Sequence, residues 1–343
     1  MSKPLRITWI NPEQIDHRQS PPTTNRVCVR LRCIGPSSEL IRRGHDVRAV
    51  SMPEWPQWAN QPEFYGRDVY IVGKAFIDLS PTLQNIHDTG GKVVIDICDN
   101  VFEPPEDELK PIYEAIIPYA DGVVMSSETL RGRIAGRLGR RVATASISDT
   151  VEGNQSKPAF APSSALRLLW FGYPNNLQTI YDFMPELVSL AQSLPLELTL
   201  VTSWQQESYR VFQSVQTGFR KRPVKWSVEA MARELERCDM VVIPSDDNPY
   251  RITKSANRVI TSLWAGRYVV AYPLPSYMEF ARFAGIGKDM TGGIKWALEN
   301  PTAVVDRISA GQDFIASNYS AGRIGAAWES FLQSLFGNRV NGS

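Results

Sequence analysis

Three cations follow a short apolar run in the second half of the chain. The run is MVVIPS, at 240–245, and an acidic turn separates it from Arg251, Lys254 and Arg258. Apolar residues across 252–263 recur at helical spacing, which predicts a helix with the three cations on the opposite face. Binding of an anion is therefore the first hypothesis for the function of this segment.

Cations at the start of a helix are unfavourable by roughly a few tenths of a kcal/mol each, because the helix N-terminus carries partial positive charge. A bound anion reverses this cost, since backbone N–H groups and cations then converge on it. We therefore interpret Arg251, Lys254 and Arg258 as an anion site. The alternative is a solvated helix face that binds nothing.

Length and composition limit the classes of protein that fit. The 343 residues predict two domains, and 43% hydrophobic with 21% charged residues is typical of a globular protein. A net charge of +1 argues against a nucleic-acid binder. The N-terminal sequence lacks a signal-peptide pattern, and the four cysteines match neither a zinc site nor a disulfide framework. These features predict a cytoplasmic protein with reduced thiols and no metal.

Short apolar runs alternate with helical patterns along the whole chain, which predicts an α/β protein with parallel sheets. Continuous Val, Ile and Leu runs are typical of strands that are buried on both faces. The predicted strands are 5–10, 46–51, 68–73, 92–97, 122–127 and 141–146, then 167–172, 196–201, 224–226, 240–245 and 268–273.

A polar, Pro- and Ser-rich stretch at 152–165 divides the two halves and predicts a linker. The predicted architecture is an N-terminal Rossmann-like domain at 1–155 and a C-terminal one at 165–320, facing an interdomain cleft. A helix at 321–338 would pack back on the N-terminal domain. Ligands of doubly wound sheets bind at the carboxyl ends of the strands. The predicted anion is therefore a phosphate in the cleft.

Five segments resemble glycosyltransferases of the GT-B fold, and they are most similar to the bacterial family 4 group. They are SSELIRRGHDVRAVS, ADGVVMSSETLRGRI, LLWFGYPNN, VEAMARELERCDMVVIPS and LWAGRYVVAYPLPSY. Their order and spacing along nearly the whole chain carry the resemblance. It implies two Rossmann-like domains and transfer of a sugar from a nucleotide-activated donor.

The chain departs from the family 4 pattern at a pair of glutamates that stand eight residues apart after the Pro-Ser. Here Asp247 is followed eight residues later by Ser255. If the segment is aligned on Gly266 instead, the position of the second glutamate falls on Thr261. The chain therefore resembles the family without its glutamate pair.

The resemblance implies that the C-terminal domain holds the nucleotide sugar. The donor diphosphate would be bound by Arg251, Lys254, Asn257, Arg258 and the turn at Gly172. GT-B enzymes stabilise the leaving diphosphate with cations and helix ends rather than a metal. The resemblance therefore implies no cofactor and no metal, and Asp-Asp-Asn at 246–248 is expected to be an ordinary turn.

Four further residues are candidates for contacts with the base, ribose or sugar. Trp226 stands where the family's chain meets the base, although a core tryptophan fits the sequence equally well. Ser276, Tyr277 and Glu279 follow the strand at 268–273 and would reach ribose or sugar hydroxyls.

The N-terminal domain is expected to supply the catalytic groups. Asp96 and Asp99 end a buried strand, where a carboxylate is costly unless it faces a polar site, although each could instead be a cap or turn residue. His17 lies in the loop after the first strand, where inverting GT-B enzymes often carry a histidine. The arginine-rich segment 131–141 would contact anionic lipid at the membrane, or simply form a solvated helix.

The predicted function is metal-independent transfer of a sugar from a nucleotide sugar to a glycan, lipid-linked or protein acceptor in cell-envelope polysaccharide synthesis. The enzyme would be cytoplasmic, with peripheral contact at the inner face of the membrane. The alternatives are a non-catalytic GT-B-like binding protein and a GT-B sugar-nucleotide epimerase.

Overall fold

The computed structural model describes residues 3–16, 18, 22–103, 108–139 and 142–337. The chain divides into two compact units, each of which has its own parallel sheet. The first unit consists of Met1–Glu152, Ile252–Ser255 and Ser317–Ser343, and the second of Gly153–Arg251 and Ala256–Ala316. In these ranges no helix combines the length and apolarity needed to cross a bilayer.

The first unit is built on a six-stranded parallel sheet of order β2-β1-β3-β4-β5-β6. All six strands lie within a few residues of their predicted positions. The four central strands are buried on both faces, as their continuous apolar runs indicate. The strands are β1 (Arg6–Asn11), β2 (Asp46–Ser51), β3 (Val69–Val72), β4 (Lys92–Ile97), β5 (Gly122–Met125) and β6 (Ala143–Ser146).

Helices cover both faces of this sheet. The π-helical turn Arg30–Ile34 joins the first two of them without a break. The helices are α1 (Val27–Val29), α2 (Gly35–Arg42), α3 (Trp55–Ala59), α4 (Ser80–Asp88), α5 (Lys110–Ile116) and α6 (Glu128–Ile134).

The second unit repeats this architecture with the sheet order β12-β11-β10-β7-β8-β9. Its strands are β7 (Leu166–Phe171), β8 (Leu196–Thr202), β9 (Arg220–Lys225), β10 (Met240–Ile243), β11 (Tyr268–Ala271) and β12 (Gly285–Ile286). The sequence did not predict β12, because a two-residue edge strand leaves no apolar run. The helices are α7 (Leu177–Ala191), α8 (Gln206–Ser214), α9 (Val228–Arg237), α10 (Asn257–Trp264), α11 (Met290–Glu299) and α12 (Pro301–Tyr319).

The last helix, α13 (Ala321–Gly337), packs within the first unit. Its Trp328 is fully buried, with its ring centroid 4.9 Å from that of Trp9 on β1. Phe331 covers Gly122, and a Cβ at that glycine would lie 2.8 Å from the phenyl ring. Large aromatic side chains on α13 therefore complete the core over β1 and β5.

The predicted linker forms neither helix nor strand, but hydrogen bonds attach it to the second unit. The Ser156 and Ala159 amides donate to carbonyls at the end of α10, those of Trp264 and Gly266, each at 3.0 Å. The buried amide of Gln312 donates to the Ser156 carbonyl at 2.8 Å. Residues 153–165 are therefore packed as part of the second unit.

Gly266 ends α10 in the left-handed region, with φ of 72°, and its amide donates to the Leu263 carbonyl. A Cβ there would lie 2.3 Å from the Lys157 carbonyl oxygen. We expect Gly266→Ala to lower the free energy of unfolding by about 2 kcal/mol, through positive φ and steric contact together.

The matched control for this prediction is Gly218→Ala. Gly218 has nearly the same φ, 68°, but a Cβ there meets nothing within 4 Å. It should therefore cost about 1 kcal/mol, from backbone strain alone. Urea denaturation of both variants measures the difference, and equal losses would show that the Lys157 contact costs nothing.

Candidate functional site

The second unit has a topological switch point between β7 and β10. From β7 the chain continues to β8 and β9 on one side, whereas β10 to β12 lie on the other. Ligands of open parallel sheets bind at the carboxyl ends of the strands at such a point. The turn that begins at Gly172, the residues after β10 and the start of α10 belong to this edge.

Arg258 is a cation at this edge. It is the second residue of α10, and its Nη1 is buried without a hydrogen-bond partner among the described residues. Nη1 lies 3.7 Å from the position that a Cβ on Gly172 would take. The same Cβ would lie 3.2 Å from the Trp170 ring. A glycine at 172 thus keeps the space beside the guanidinium open.

Three more buried side-chain atoms of this unit lack a hydrogen-bond partner within the described ranges: Trp170 Nε1, Thr202 Oγ1 and Ser245 Oγ. Trp170 and Thr202 lie near or at the ends of β7 and β8, and Ser245 follows β10 by two residues. Buried polar groups are almost always paired in folded proteins. Their concentration on three adjacent strand ends, together with the Arg258 charge, favours an anionic ligand.

Arg251 differs from Arg258 because it is already ion-paired, to Asp246. The segment Asp246 to Asn248 forms consecutive turns, in which the Asn248 amide donates to the Asp246 carboxylate at 3.0 Å and the Tyr250 amide to Asn248 Oδ1 at 2.8 Å. It is therefore the Asp/Asn turn that the sequence predicted. In the described ranges, no three His, Cys, Asp or Glu side chains converge to hold a metal ion.

The predicted helix across 252–263 begins later than its pattern indicated. The helix α10 begins at Asn257, so Arg251 and Lys254 do not share a helical face with Arg258. Residues 252–255, which precede α10, form hydrogen bonds with the first unit. Ser127 Oγ donates to the Thr253 carbonyl and Ser255 Oγ donates to Asp149, both at 2.6 Å. These bonds hold 252–255 out of the helix.

Lys254 forms an ion pair with Asp99, and Lys74 binds the other oxygen of the same carboxylate. The Asp99 side chain is only 12% exposed. Burial would raise the pKa of Asp99, but the ammonium groups of Lys254 and Lys74 outweigh burial and hold the pKa well below its ordinary value. A carboxylate with so low a pKa is a weak general base. The structure therefore favours an anchoring role for Asp99 over the predicted catalytic one.

Asp96 is 2% exposed and is held by Arg32, whose Nε and Nη2 donate at 2.9 and 2.6 Å. Arg32 also donates to Asp149 at 3.0 Å. Burial would lower the pKa of Arg32, but the Asp96 and Asp149 carboxylates more than offset burial and raise it. Asp96 thus belongs to a buried ionic network rather than to an open catalytic surface.

Arg32 and Lys74 were both missed in the sequence. Arg32 lies in the π-helical turn, a feature that is frequent at functional sites, and Lys74 stands two residues beyond β3. The position of Lys74 after a buried strand was an available signal. Nothing local distinguished Arg32 from the other arginines.

The first unit also contains a pocket of about 270 Å³ at the carboxyl ends of β1 and β2. Its lining includes Glu13 and Glu54. The Arg26 amide donates to Glu13 at 2.9 Å, and Ser51 Oγ donates to Glu54 at 2.8 Å. The sequence indicated the loop after β1 through His17, but His17 lies outside the described residues.

The remaining donor candidates differ in accessibility. Trp226 follows β9 and is half-buried, with its amide donating to the Thr202 carbonyl at 2.9 Å. Ser276, Tyr277 and Glu279 lie in the 3-10 turn Pro275–Phe280 after β11. Tyr277 is 1% exposed and belongs to the core. Of these three candidates, Ser276 and Glu279 therefore remain as the ones that reach the surface.

The arginine-rich segment 131–141 is largely engaged within the first unit. Arg131 pairs with Glu128 at 2.7 Å and Arg133 with Glu103 at 2.8 Å. Arg137 lies over the Phe102 ring at 5.7 Å. Arg140 and Arg141 lie outside the described residues.

No protein-family model matches the sequence, and no curated protein matches it either. Solved structures do match. HepE of Anabaena, in complex with UDP, has a TM-score of 0.68 at 11% identity, covering 96% of this chain and 100% of HepE. Sucrose-phosphate synthase of Thermosynechococcus elongatus has a TM-score of 0.71 at 13% identity, covering 97% and 99%.

The match to S. aureus TarM is shorter, with a TM-score of 0.60 at 15% identity. It covers 77% of this chain, and the chain spans only about half of TarM, 55%. These likenesses, with the two six-stranded sheets, establish the fold class. The protein has the α/β GT-B fold with two Rossmann-like domains, as the sequence predicted.

Proposed function

We propose that the protein is a glycosyltransferase that takes its sugar from a nucleotide-activated donor, whose diphosphate binds to the second unit. The observation that carries this proposal is the buried, unpartnered Nη1 of Arg258 at the β7–β10 switch point. Structures of the same fold support it, since HepE and a TarM variant were each solved in complex with UDP.

The start of α10 supplies the chemistry that departure of a nucleoside diphosphate needs. Negative charge grows on the leaving phosphate as the glycosidic bond to it breaks. The Arg258 guanidinium and the first backbone N–H groups of α10, beginning at Asn257, would stabilise that charge. Gly172 would allow the phosphates to approach. A fixed cation and helix end perform the role that a metal ion performs elsewhere, so we propose metal-independent transfer.

For the acceptor we propose the pocket of the first unit. Its carboxylates, Glu13 and Glu54, accept hydrogen bonds from neutral donors in the structure. Such groups suit the hydroxyls of a glycan, free or attached to lipid or protein. The family 4 resemblance, the cell-envelope role, the cytoplasmic location and the membrane contact of 131–141 remain proposals from the sequence.

A thermal-shift screen tests the donor. We expect one nucleoside diphosphate among UDP, GDP, CDP and ADP to raise the melting temperature in proportion to the logarithm of its concentration. The shift should persist in EDTA, because Arg258 and the helix end supply the positive charge. Absence of any shift would contradict the proposed donor site, and a shift that requires Mn²⁺ or Mg²⁺ would contradict metal independence.

A nucleotide-sugar-binding protein without transfer activity is the second candidate. The observation that favours it is that both predicted catalytic carboxylates, Asp96 and Asp99, are committed to ion pairs. Incubation with the sugar form of the stabilising nucleotide and a mixture of glycan acceptors separates the two. Catalytic release of the nucleoside diphosphate identifies the transferase, and binding without release identifies the second candidate.

A further inference from the structure

Two cysteines lie together in the first unit, beside the switch point between β1 and β3. Cys28 is in α1, and Cys98 directly follows β4. Their side chains adjoin each other, and both line a cavity of about 10 Å³ that Lys74 also lines. Neither cysteine is fully buried. The sequence predicted reduced thiols, and only the structure brings two of them together.

We propose that Cys28 and Cys98 form a redox-active pair, which a peroxide oxidises to an intramolecular disulfide. The proposal depends on their contact and their partial exposure, and it is independent of the glycosyl-transfer proposal. Thiols that are in contact, accessible and close to cations are the ones that oxidise selectively.

Cys28 is suited to be the attacking thiol. The adjoining Cys98 side chain lowers the pKa of Cys28 and outweighs the opposing effect of burial, and the charges of Lys74 and Arg26 lower it further. The other two cysteines contrast with it. Burial raises the pKa values of Cys33 and Cys238 to about 12, and both side chains are buried.

The oxidation proceeds in two steps. The Cys28 thiolate attacks one oxygen of hydrogen peroxide, the O–O bond breaks, and hydroxide leaves and takes up a proton. Cys28 then carries a sulfenic acid. The Cys98 sulfur attacks the Cys28 sulfur, the S–O bond breaks and the S–S bond forms, and the hydroxyl leaves with the Cys98 proton. Two thiols and one peroxide thus give one disulfide and two waters.

The disulfide would form beside the ion pairs of Asp99. In the reduced protein the Cys98 thiol donates to Asp99 Oδ2, at 3.8 Å. Once Cys98 is bonded to Cys28, that donor is gone. Oxidation therefore alters the immediate surroundings of the Asp99, Lys74 and Lys254 cluster, which gives the pair a route to regulate the first unit.

The test treats the purified full chain with hydrogen peroxide, blocks the remaining thiols with iodoacetamide under denaturing conditions and maps the peptides. We expect a linked peptide that joins Cys28 to Cys98, reversed by dithiothreitol. In the untreated native chain, iodoacetamide should label Cys28 at least about tenfold faster than Cys238, because only Cys28 combines access with thiolate character.

Variants assign the two roles. Cys98→Ser should lose the disulfide and trap a sulfenic acid on Cys28, which dimedone labels. Cys28→Ser should lose both products, whereas Cys238→Ser is the control that should oxidise like the wild type. A Cys28–Cys33 linkage, or a Cys28 that reacts no faster than Cys238, would overturn the proposal. Both outcomes can be seen in the wild-type chain, so misfolding of a variant does not obscure the answer.

Discussion

Replacing Arg258 by glutamine should weaken binding of the stabilising nucleoside diphosphate about ten- to a hundredfold. Turnover with the nucleotide sugar should fall by about 10²–10³, because the lost charge acts most strongly on the developing negative charge. The free energy of unfolding should change little, since Arg258 Nη1 has no hydrogen-bond partner to lose within the described residues. Calorimetric titration and urea denaturation of the same variant measure binding and stability.

Arg251→Gln is the matched control for Arg258→Gln. Arg251 stands seven residues earlier but is ion-paired to Asp246 in the structure. Its loss should change nucleotide affinity by less than about threefold, which corresponds to roughly 0.6 kcal/mol. If Arg258→Gln binds the nucleotide as tightly as the wild type, Arg258 does not contact phosphate and the proposed donor site is wrong.

Replacing Asp99 by asparagine should lower the free energy of unfolding by about 3 kcal/mol at pH 7. The variant leaves the ammonium groups of Lys74 and Lys254 close together without the carboxylate that neutralises both. Their side chains are 21% and 26% exposed, so solvent screens this repulsion only in part. Urea denaturation at several pH values measures the effect.

The pH dependence identifies its origin. The pKa of Asp99 is depressed in the folded protein, so its stabilisation is fully present above the unfolded value of about 3.9. The stability difference between wild type and Asp99→Asn should therefore shrink as the pH falls below about 4. Asp121→Asn is the control, because Asp121 also pairs with a lysine, Lys92, but is 22% exposed. A difference that persists unchanged at low pH would show that Asp99 stabilises the fold by packing rather than by charge.

The sequence predicted the sheets because strand position is a local property here. The run at 92–97 coincides with β4, Lys92–Ile97, since continuous apolar residues specify a strand buried on both faces. The helical period across 252–263 was equally regular, yet the helix begins only at Asn257. Bonds from Ser127 and Asp149, more than a hundred residues away in the chain, decide that start, and no local pattern encodes them.

In the candidate site, too, local features could be predicted from the sequence and contacts between distant residues could not. Arg258 could be proposed from the sequence as an anion-binding cation, because a helical pattern that follows a buried strand is visible locally. The partner of Lys254 was not, because Asp99 is distant in sequence and meets Lys254 only after folding. From sequence alone, removal of Lys254 should leave the ligand-free protein unharmed. Because Lys254 forms an ion pair with Asp99, we expect its removal to destabilise the first unit instead.

The discontinuity of the first unit has a consequence for synthesis on the ribosome. β1 emerges early, but Trp9 is covered by Trp328 of α13, more than three hundred residues later. At about 5–20 residues per second, the nascent chain carries this uncovered aromatic surface for roughly 15–60 s. A fragment that ends at residue 152 would never bury it. We therefore expect this fragment to require a chaperone or to aggregate, and the native first unit to form only after α13 has left the exit tunnel.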